Sequence, residues 1–264
     1  MEKTRPMKTL SRTTVTIGLP IALALLAQSC GSSEANSPSS SRPNVVQGTA
    51  LSLSDVKGLG LVAFVVDVGR ADRRGICTGT LVGHRQVLTA AHCLANPLGA
   101  TTVAVFGTDA FARSSTRVGI AKTTRVPSAD MAVMTLSADA PAGFVSQPLL
   151  LTIPSGSVFA NLAAFGAGFG RTATDSPSTG GTARKGNTRI STLERGMPLV
   201  IANSGQGRGF CFGDSGGPLF ASVEGRRVVV GVLSQGATTC ETGLDTFISV
   251  SFSAKALGAL RAVP

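Results

Sequence analysis

The stretch Gly213-Asp214-Ser215-Gly216-Gly217-Pro218 surrounds one serine with three glycines and an acidic residue. A serine hydroxyl is a weak nucleophile at its ordinary pKa and needs a base within hydrogen-bonding distance. Glycine permits a sharp turn, in which backbone N–H groups can point at the oxygen that becomes negative during acyl transfer. The stretch therefore predicts a nucleophile, Ser215, and an oxyanion hole formed by the N–H groups of Gly213 and Ser215.

The base must come from one of two histidines. His92 ends an apolar run in the stretch Leu88-Thr89-Ala90-Ala91-His92-Cys93. His84 lies between Gly83 and Arg85 in a predicted hairpin turn, which is typical of a solvated residue. His92 is therefore the candidate base.

A carboxylate must hold the imidazole in the correct tautomer and stabilise its protonated form. Asp130 opens the apolar run 130–136, which suits a buried carboxylate at the start of a strand. Asp109 follows Gly107-Thr108 in a predicted turn and is the weaker candidate. The predicted order along the chain is His92, Asp130, Ser215.

This order argues against two other hydrolase folds. The serine also fits the G-x-S-x-G turn of α/β-hydrolases, but those enzymes need a histidine after the serine, and none follows His92. Asp67 or Asp72 would formally give the subtilisin order, but the surrounding patterns are rich in strands and poor in helices.

Outside these motifs the chain consists of short apolar runs separated by Gly, Pro, Ser and Thr. This spacing favours an all-β antiparallel fold, and the one predicted helix is Ser253–Arg261. Thr172–Gly186 is polar and predicts a surface loop. Gly166–Gly170 resembles a nucleotide-binding loop, but no helix follows it, so we interpret it as a strand end and predict no cofactor. The predicted strands are 61–68, 86–90, 102–106, 131–136, 158–165, 198–202, 218–221, 227–233 and 246–250.

Together, the motifs around His92 and Ser215 resemble those of the trypsin/chymotrypsin family of serine proteases, from about Val45 to the C terminus. The resemblance implies two Greek-key antiparallel β-barrels, about 45–145 and 146–264, with a short C-terminal helix. It also implies a serine endopeptidase that hydrolyses polypeptides through an acyl-enzyme intermediate. The alternative is a catalytically silent binding protein of the cell envelope. Such members usually lose a triad residue or the glycine before the serine, and this chain keeps them all.

The same resemblance implies pairings and roles for other residues. It pairs Cys77 with Cys93 and Cys211 with Cys240. Ser234, Gln235 and Gly236 would form the strand that binds substrate backbone, with Gly236 keeping the pocket entrance open. Val45-Val46-Gln47-Gly48 resembles the mature N terminus of the family. An activating protease would then free Val45 to pair with Asp214.

The primary specificity pocket departs from trypsin. Trypsin-like enzymes carry a carboxylate six residues before the serine, where this chain has Gly209. Asp245 aligns with the opposite pocket wall, from which its carboxylate would reach the same cavity. We expect Asp245 either to favour Lys and Arg substrates or to face a local donor such as Thr246, since a buried unpaired charge is unfavourable.

The N terminus predicts export. Four basic residues precede the apolar run Val15–Ala27, which is too short for a stable membrane span and typical of a signal peptide, residues 1–30. Cys30 resembles the lipidated cysteine of bacterial lipoproteins, although an ordinary cleaved signal peptide also fits. Residues 31–44 read as a flexible linker or propeptide. The expected location is the outer cell envelope, with a membrane tether through Cys30, or the exterior after release.

The formal net charge of +10 falls to about +7 beyond residue 44. The basic residues are scattered and Trp and Tyr are absent, so no specific nucleic-acid site is predicted. With two histidines and no C-x-x-C pair, no metal site is predicted either.

Overall fold

The computed structural model describes residue 46 and residues 48–67, 75–94, 101–205, 208–236 and 239–261. The predicted signal peptide, Cys30, the linker and Val45 lie outside these residues. Within the described ranges, no helix has the length and apolar content needed to cross a membrane.

Two short elements precede the first barrel: strand β1 (Thr49–Ala50) and helix α1 (Leu53–Gly58). Helix α1 was not predicted from sequence, because only Val56 on it is buried and it has no apolar periodicity. Its signal was the capping box: the Ser52 hydroxyl accepts from the Asp55 N–H, and the Asp55 carboxylate accepts from the Ser52 N–H.

The first barrel closes in the strand order β2-β3-β4-β7-β6-β5. Residues 61–65 of β2 are all buried because they face two cores. Val62 and Phe64 lie in one hydrophobic cluster with residues of this barrel alone. The alternate residues of β2 join a cluster that contains residues of both barrels. The strands are β2 (Leu61–Asp67), β3 (Gly75–Leu81), β4 (Gln86–Thr89), β5 (Thr101–Phe106), β6 (Thr116–Arg125) and β7 (Ala132–Leu136).

The second barrel repeats this order as β8-β9-β10-β13-β12-β11, and pairing of β8 with both β9 and β11 closes the ring. The predicted all-β fold of two antiparallel barrels is therefore confirmed. The strands are β8 (Val158–Gly168), β9 (Arg184–Glu194), β10 (Leu199–Asn203), β11 (Pro218–Val223), β12 (Arg226–Gln235) and β13 (Leu244–Ser249).

Some boundaries differ from those predicted. Strand β1 pairs with β9, so the segment that opens the domain is attached to the second barrel. The predicted loop 172–186 is shorter than expected, because strand β9 already begins at Arg184. This first part of β9 is polar and contains glycine, and it is held by main-chain pairing with β8. Gly168 ends β8 as predicted, and the C-terminal helix α2 spans Ala254–Arg261.

Candidate active site

The Ser215 turn has the conformation that its glycines were predicted to allow. Gly213 has φ +103° and Gly216 has φ +82°, a region that residues with a Cβ rarely adopt. A Cβ at Gly213 would also lie 2.6 Å from Cγ2 of Ile76. Among the described residues, neither the Gly213 N–H nor the Ser215 N–H has a hydrogen-bond partner. Both N–H groups are therefore free to bind a substrate oxygen.

His92 and Asp130 are joined by two hydrogen bonds. His92 lies in a short 3-10 turn after β4, and Asp130 lies in the turn between β6 and β7. The His92 N–H donates to Asp130 Oδ1 at 2.8 Å, and Nδ1 lies 2.7 Å from Oδ2. Because a carboxylate only accepts, Nδ1 carries a proton, and in the neutral imidazole Nε2 is then the acceptor. His92 thus has the tautomer that a general base requires.

The environment keeps Asp130 ionised. Partial burial alone would raise its pKa, but hydrogen bonds from the His92 ring, the Ser234 hydroxyl and the His92 N–H lower the pKa to about 2. The Ser234 hydroxyl donates to Asp130 Oδ2 at 2.6 Å. From the sequence, Ser234 is predicted only to bind substrate. No local signal could have revealed this contact, since the two residues are 104 positions apart.

The other candidates for base and acid lie elsewhere. Asp109 Oδ1 accepts from the Phe111 N–H at 2.7 Å, in a local turn. His84 is exposed in the bend between β3 and β4. Of the candidate bases and acids, His92 and Asp130 are therefore the two that are hydrogen-bonded to each other.

The first disulfide brings the His92 turn against the Ser215 turn. Cys77 on β3 is bonded to Cys93, the residue after His92. The Thr78 N–H donates to the Ser215 carbonyl at 2.8 Å, and Cys93 Sγ lies 3.7 Å from the same oxygen. Cys77, His92 and Cys93 form a compact Cys/His cluster, but the two sulfurs are bonded to each other and cannot act as thiolate ligands of a metal.

With this geometry in place, comparison with known proteins is informative. The sequence model of the family described as Trypsin matches residues 60–256. This chain belongs to the trypsin family.

Solved structures similar to this trypsin-family protein include human heparin binding protein. It is 21% identical, with a TM-score of 0.67, over 82% of this chain and 96% of that chain. Another is neuropsin, described as a serine protease expressed in the limbic system of mouse brain. It is 19% identical, with a TM-score of 0.65, over 81% of this chain and 99% of that chain. Both likenesses concern the fold.

A cavity of about 270 Å³ lies beside Ser215 in this trypsin-family protein. Gly236 is one of the residues that line it, and a Cβ at this position would lie 3.0 Å from the Phe210 carbonyl oxygen and 3.3 Å from Asp245 Oδ1. Gly209 leaves no room for a side chain, because a Cβ would collide with the carbonyl oxygen of Cys240. The cavity is lined by Phe210, Cys211, Phe212, Ser215, Leu233, Ser234, Gln235, Gly236 and Cys240.

Asp245 is not among the residues that line this cavity, but its carboxylate contacts the backbone N–H of the lining residue Phe210. It is only 2% exposed, and both its oxygens lie 3.3 Å from the Phe210 N–H. Burial raises its pKa to about 7, against the opposing effect of the Phe210 hydrogen bond; the charge of Asp214 raises the pKa further. The local donor is thus Phe210 and not Thr246, the residue suggested by sequence.

Asp214 is completely buried behind the Ser215 turn. Its carboxylate accepts from the Gly170 N–H at 2.7 Å and the Cys211 N–H at 2.9 Å. Burial raises its pKa to about 7 despite these two hydrogen bonds. Val46 lies nearby: its N–H donates to the Gly209 carbonyl at 3.0 Å, and its side chain packs on Cys211, which forms the predicted disulfide with Cys240.

Proposed function

We propose that this trypsin-family protein is a serine endopeptidase with His92, Asp130 and Ser215 as its catalytic triad. The observation that carries the proposal is the doubly hydrogen-bonded His92–Asp130 pair, held by a disulfide against the Ser215 turn. A binding protein would have no need of a histidine fixed in the tautomer that accepts a proton at Nε2.

The proposed reaction has two halves. Ser215 Oγ attacks the peptide carbonyl while His92 Nε2 takes its proton, and the N–H groups of Gly213 and Ser215 stabilise the oxyanion. The intermediate collapses to an acyl-enzyme as His92 returns the proton to the leaving amine. Water then attacks the ester with His92 again as base. Asp130, with a pKa of about 2, stays ionised throughout.

Polypeptides fit the edge of β12. Its pairing with β11 ends at Val232, and among the described residues no strand pairs with Ser234–Gly236 on that side, close to Ser215. An extended substrate would pair with this edge and place the residue before the cut in the cavity. Asp245 would then favour Lys or Arg, whose charge offsets the unfavourable burial of its carboxylate.

Activation by cleavage between Asn44 and Val45 forms part of the proposal. Asp214 is buried with a raised pKa, and a newly freed amine would stabilise its ionised form. The Val46 N–H donates to the carbonyl of Gly209, and Gly209 lies only five residues before Asp214 in the sequence. If Cys30 is lipidated in the envelope, the same cleavage would release the catalytic domain.

A silent binding protein is the second candidate. The fold is shared with a protein named for heparin binding. The outer face of the second barrel also carries a cavity of about 640 Å³ whose described lining residues include Arg189 and Arg208 and no acidic side chain. Such a basic surface attracts anionic polymers.

Active-site titration separates the two candidates. The protein and a Ser215→Ala variant would be treated with a peptidyl phosphonate, and each labelled species would be identified by N-terminal sequencing. The proposal expects stoichiometric labelling of Ser215 in the form that begins at Val45. An unlabelled form beginning at Val45, combined with retention on heparin that Arg189→Ala weakens, would favour the binding protein.

A further inference from the structure

We infer that Thr78 is a positioning residue of the oxyanion hole, because its buried hydroxyl fixes the Gly213 carbonyl and with it the backbone that presents the Gly213 N–H. The inference rests on the proposed endopeptidase function. It assigns a side chain from the first barrel to the geometry of a turn in the second.

Thr78 contacts both residues of the hole. Its N–H donates to the Ser215 carbonyl and its Oγ1 donates to the Gly213 carbonyl, both at 2.8 Å. The N–H groups of Gly213 and Ser215 themselves have no partner among the described residues. The main-chain contact would exist with any residue at position 78, whereas the contact with Gly213 requires a hydroxyl.

The hydroxyl is oriented by its other contact. The Phe169 N–H donates to Thr78 Oγ1 at 3.1 Å and occupies one lone pair of the oxygen. A hydroxyl has a single proton, which in this site is directed to the Gly213 carbonyl. Thr78 is fully buried and branched at Cβ, so its side chain has few rotamers to exchange between.

Gly213 needs this restraint because it is a glycine at φ +103° and can adopt many other conformations. The peptide on its N-terminal side is held by the Arg171 N–H, which donates to the Phe212 carbonyl at 3.0 Å. The peptide on its C-terminal side is held by the Thr78 hydroxyl and by the Asp214 N–H, which donates to the Cys211 carbonyl at 2.9 Å. Without the hydroxyl, the buried Gly213 carbonyl has no other donor among the described residues, and the Gly213–Asp214 peptide is held only by the Asp214 N–H. Gly213 can then change conformation, which would shift its own N–H relative to the Ser215 N–H and impair the binding of the substrate oxygen.

Three variants of the full chain test the inference. Thr78→Val keeps the shape and removes the hydroxyl, and Thr78→Ser restores it. The matched control is Thr89→Val, which removes another buried hydroxyl, bonded to the Thr78 carbonyl at 2.7 Å and not to Gly213. Because the chain has no Trp or Tyr, circular dichroism would monitor the folding of each variant.

Loss of a whole oxyanion donor lowers rates about 100- to 1000-fold, and misplacing one should have a smaller effect, so we expect Thr78→Val to lower kcat about 10- to 100-fold. KM should change by less than about threefold, because ground-state binding does not use the hole. A peptide aldehyde, which forms an oxyanion on Ser215, should lose affinity by a factor similar to the loss in kcat. Thr78→Ser and Thr89→Val should keep kcat within about threefold of the parent protein.

The opposite results would overturn the inference. It is wrong if folded Thr78→Val keeps its kcat, if Thr78→Ser fails to restore the rate, or if Thr89→Val loses as much as Thr78→Val. If the parent protein is not labelled by phosphonate, the endopeptidase proposal has failed separately. Crystal structures then decide the inference: the Gly213 peptides should rotate in Thr78→Val, and an unchanged orientation contradicts it.

Discussion

The preference for Lys or Arg before the cleaved bond should rise with pH through about 7, since Asp245 can attract a cation only when ionised. In the enzyme without substrate, burial raises the pKa of the Asp245 carboxyl to about 7. The pH dependence of kcat/KM reports ionisations of the free enzyme, so this pKa is the relevant one. Lysine itself stays charged across the whole range.

The size of the effect follows from the titration. With a pKa of about 7, the ionised fraction rises from about 0.09 at pH 6 to about 0.91 at pH 8, so the part of the preference that depends on ionised Asp245 should grow about tenfold. At high pH, a hydrogen bond between ionised groups contributes about 1.5–3 kcal/mol, which corresponds to a preference of about 10- to 150-fold.

The assay compares two peptides that differ only in lysine or norleucine before the cut. The ratio of their kcat/KM values removes ionisations that affect both substrates equally, such as those of the triad. Asp245→Asn is the control: its amide oxygen still accepts from the Phe210 N–H, and its ratio should be low and independent of pH. A flat ratio in the parent protein, or an unchanged rise in Asp245→Asn, would show that Asp245 is structural and the pocket apolar.

Three further outcomes are expected. Asp130→Asn should lower kcat by about 10,000-fold, as in digestive members of the family, whereas Asp109→Asn should remain near normal in the same peptide assay; the reverse would refute the assignment of the acid. Edman sequencing of the active species should begin at Val45, and full activity in a form that still contains Cys30 would contradict activation by cleavage. The folded pKa values of Asp214 and Asp245 lie near 7, above the ordinary value of 3.8, so the stability that these two carboxyl groups contribute to the uncut chain is fully present below about pH 4 and is lost as pH rises through about 7. Urea unfolding followed by circular dichroism should show a fall of more than about 2 kcal/mol between pH 5 and pH 8, and a rise would contradict it.

Local motifs predicted much of the fold and the candidate site. The glycines around Ser215 predicted a turn with free N–H groups, because positive φ is a property of the residue itself. Strand β2 was predicted from an unbroken apolar run, since alternate residues of this strand pack into two different hydrophobic cores. Helix α1 was missed because its exposed surface leaves no periodic pattern. Strands β3, β6 and β9 were not among the predicted strands, and β9 begins with a polar segment that is defined by main-chain pairing and not by side-chain burial.

The sequence by itself determined the chemistry that we propose, since it contains the candidate nucleophile, base and acid in the order His92, Asp130, Ser215. Tertiary structure alone decided which groups restrain them: Ser234 on Asp130, Phe210 on Asp245 and Thr78 on Gly213. These partners are 104, 35 and 135 positions apart. The physical reason is that a buried polar group must find a donor or acceptor wherever the packed barrels supply one, and no local pattern encodes contacts between distant strands and turns.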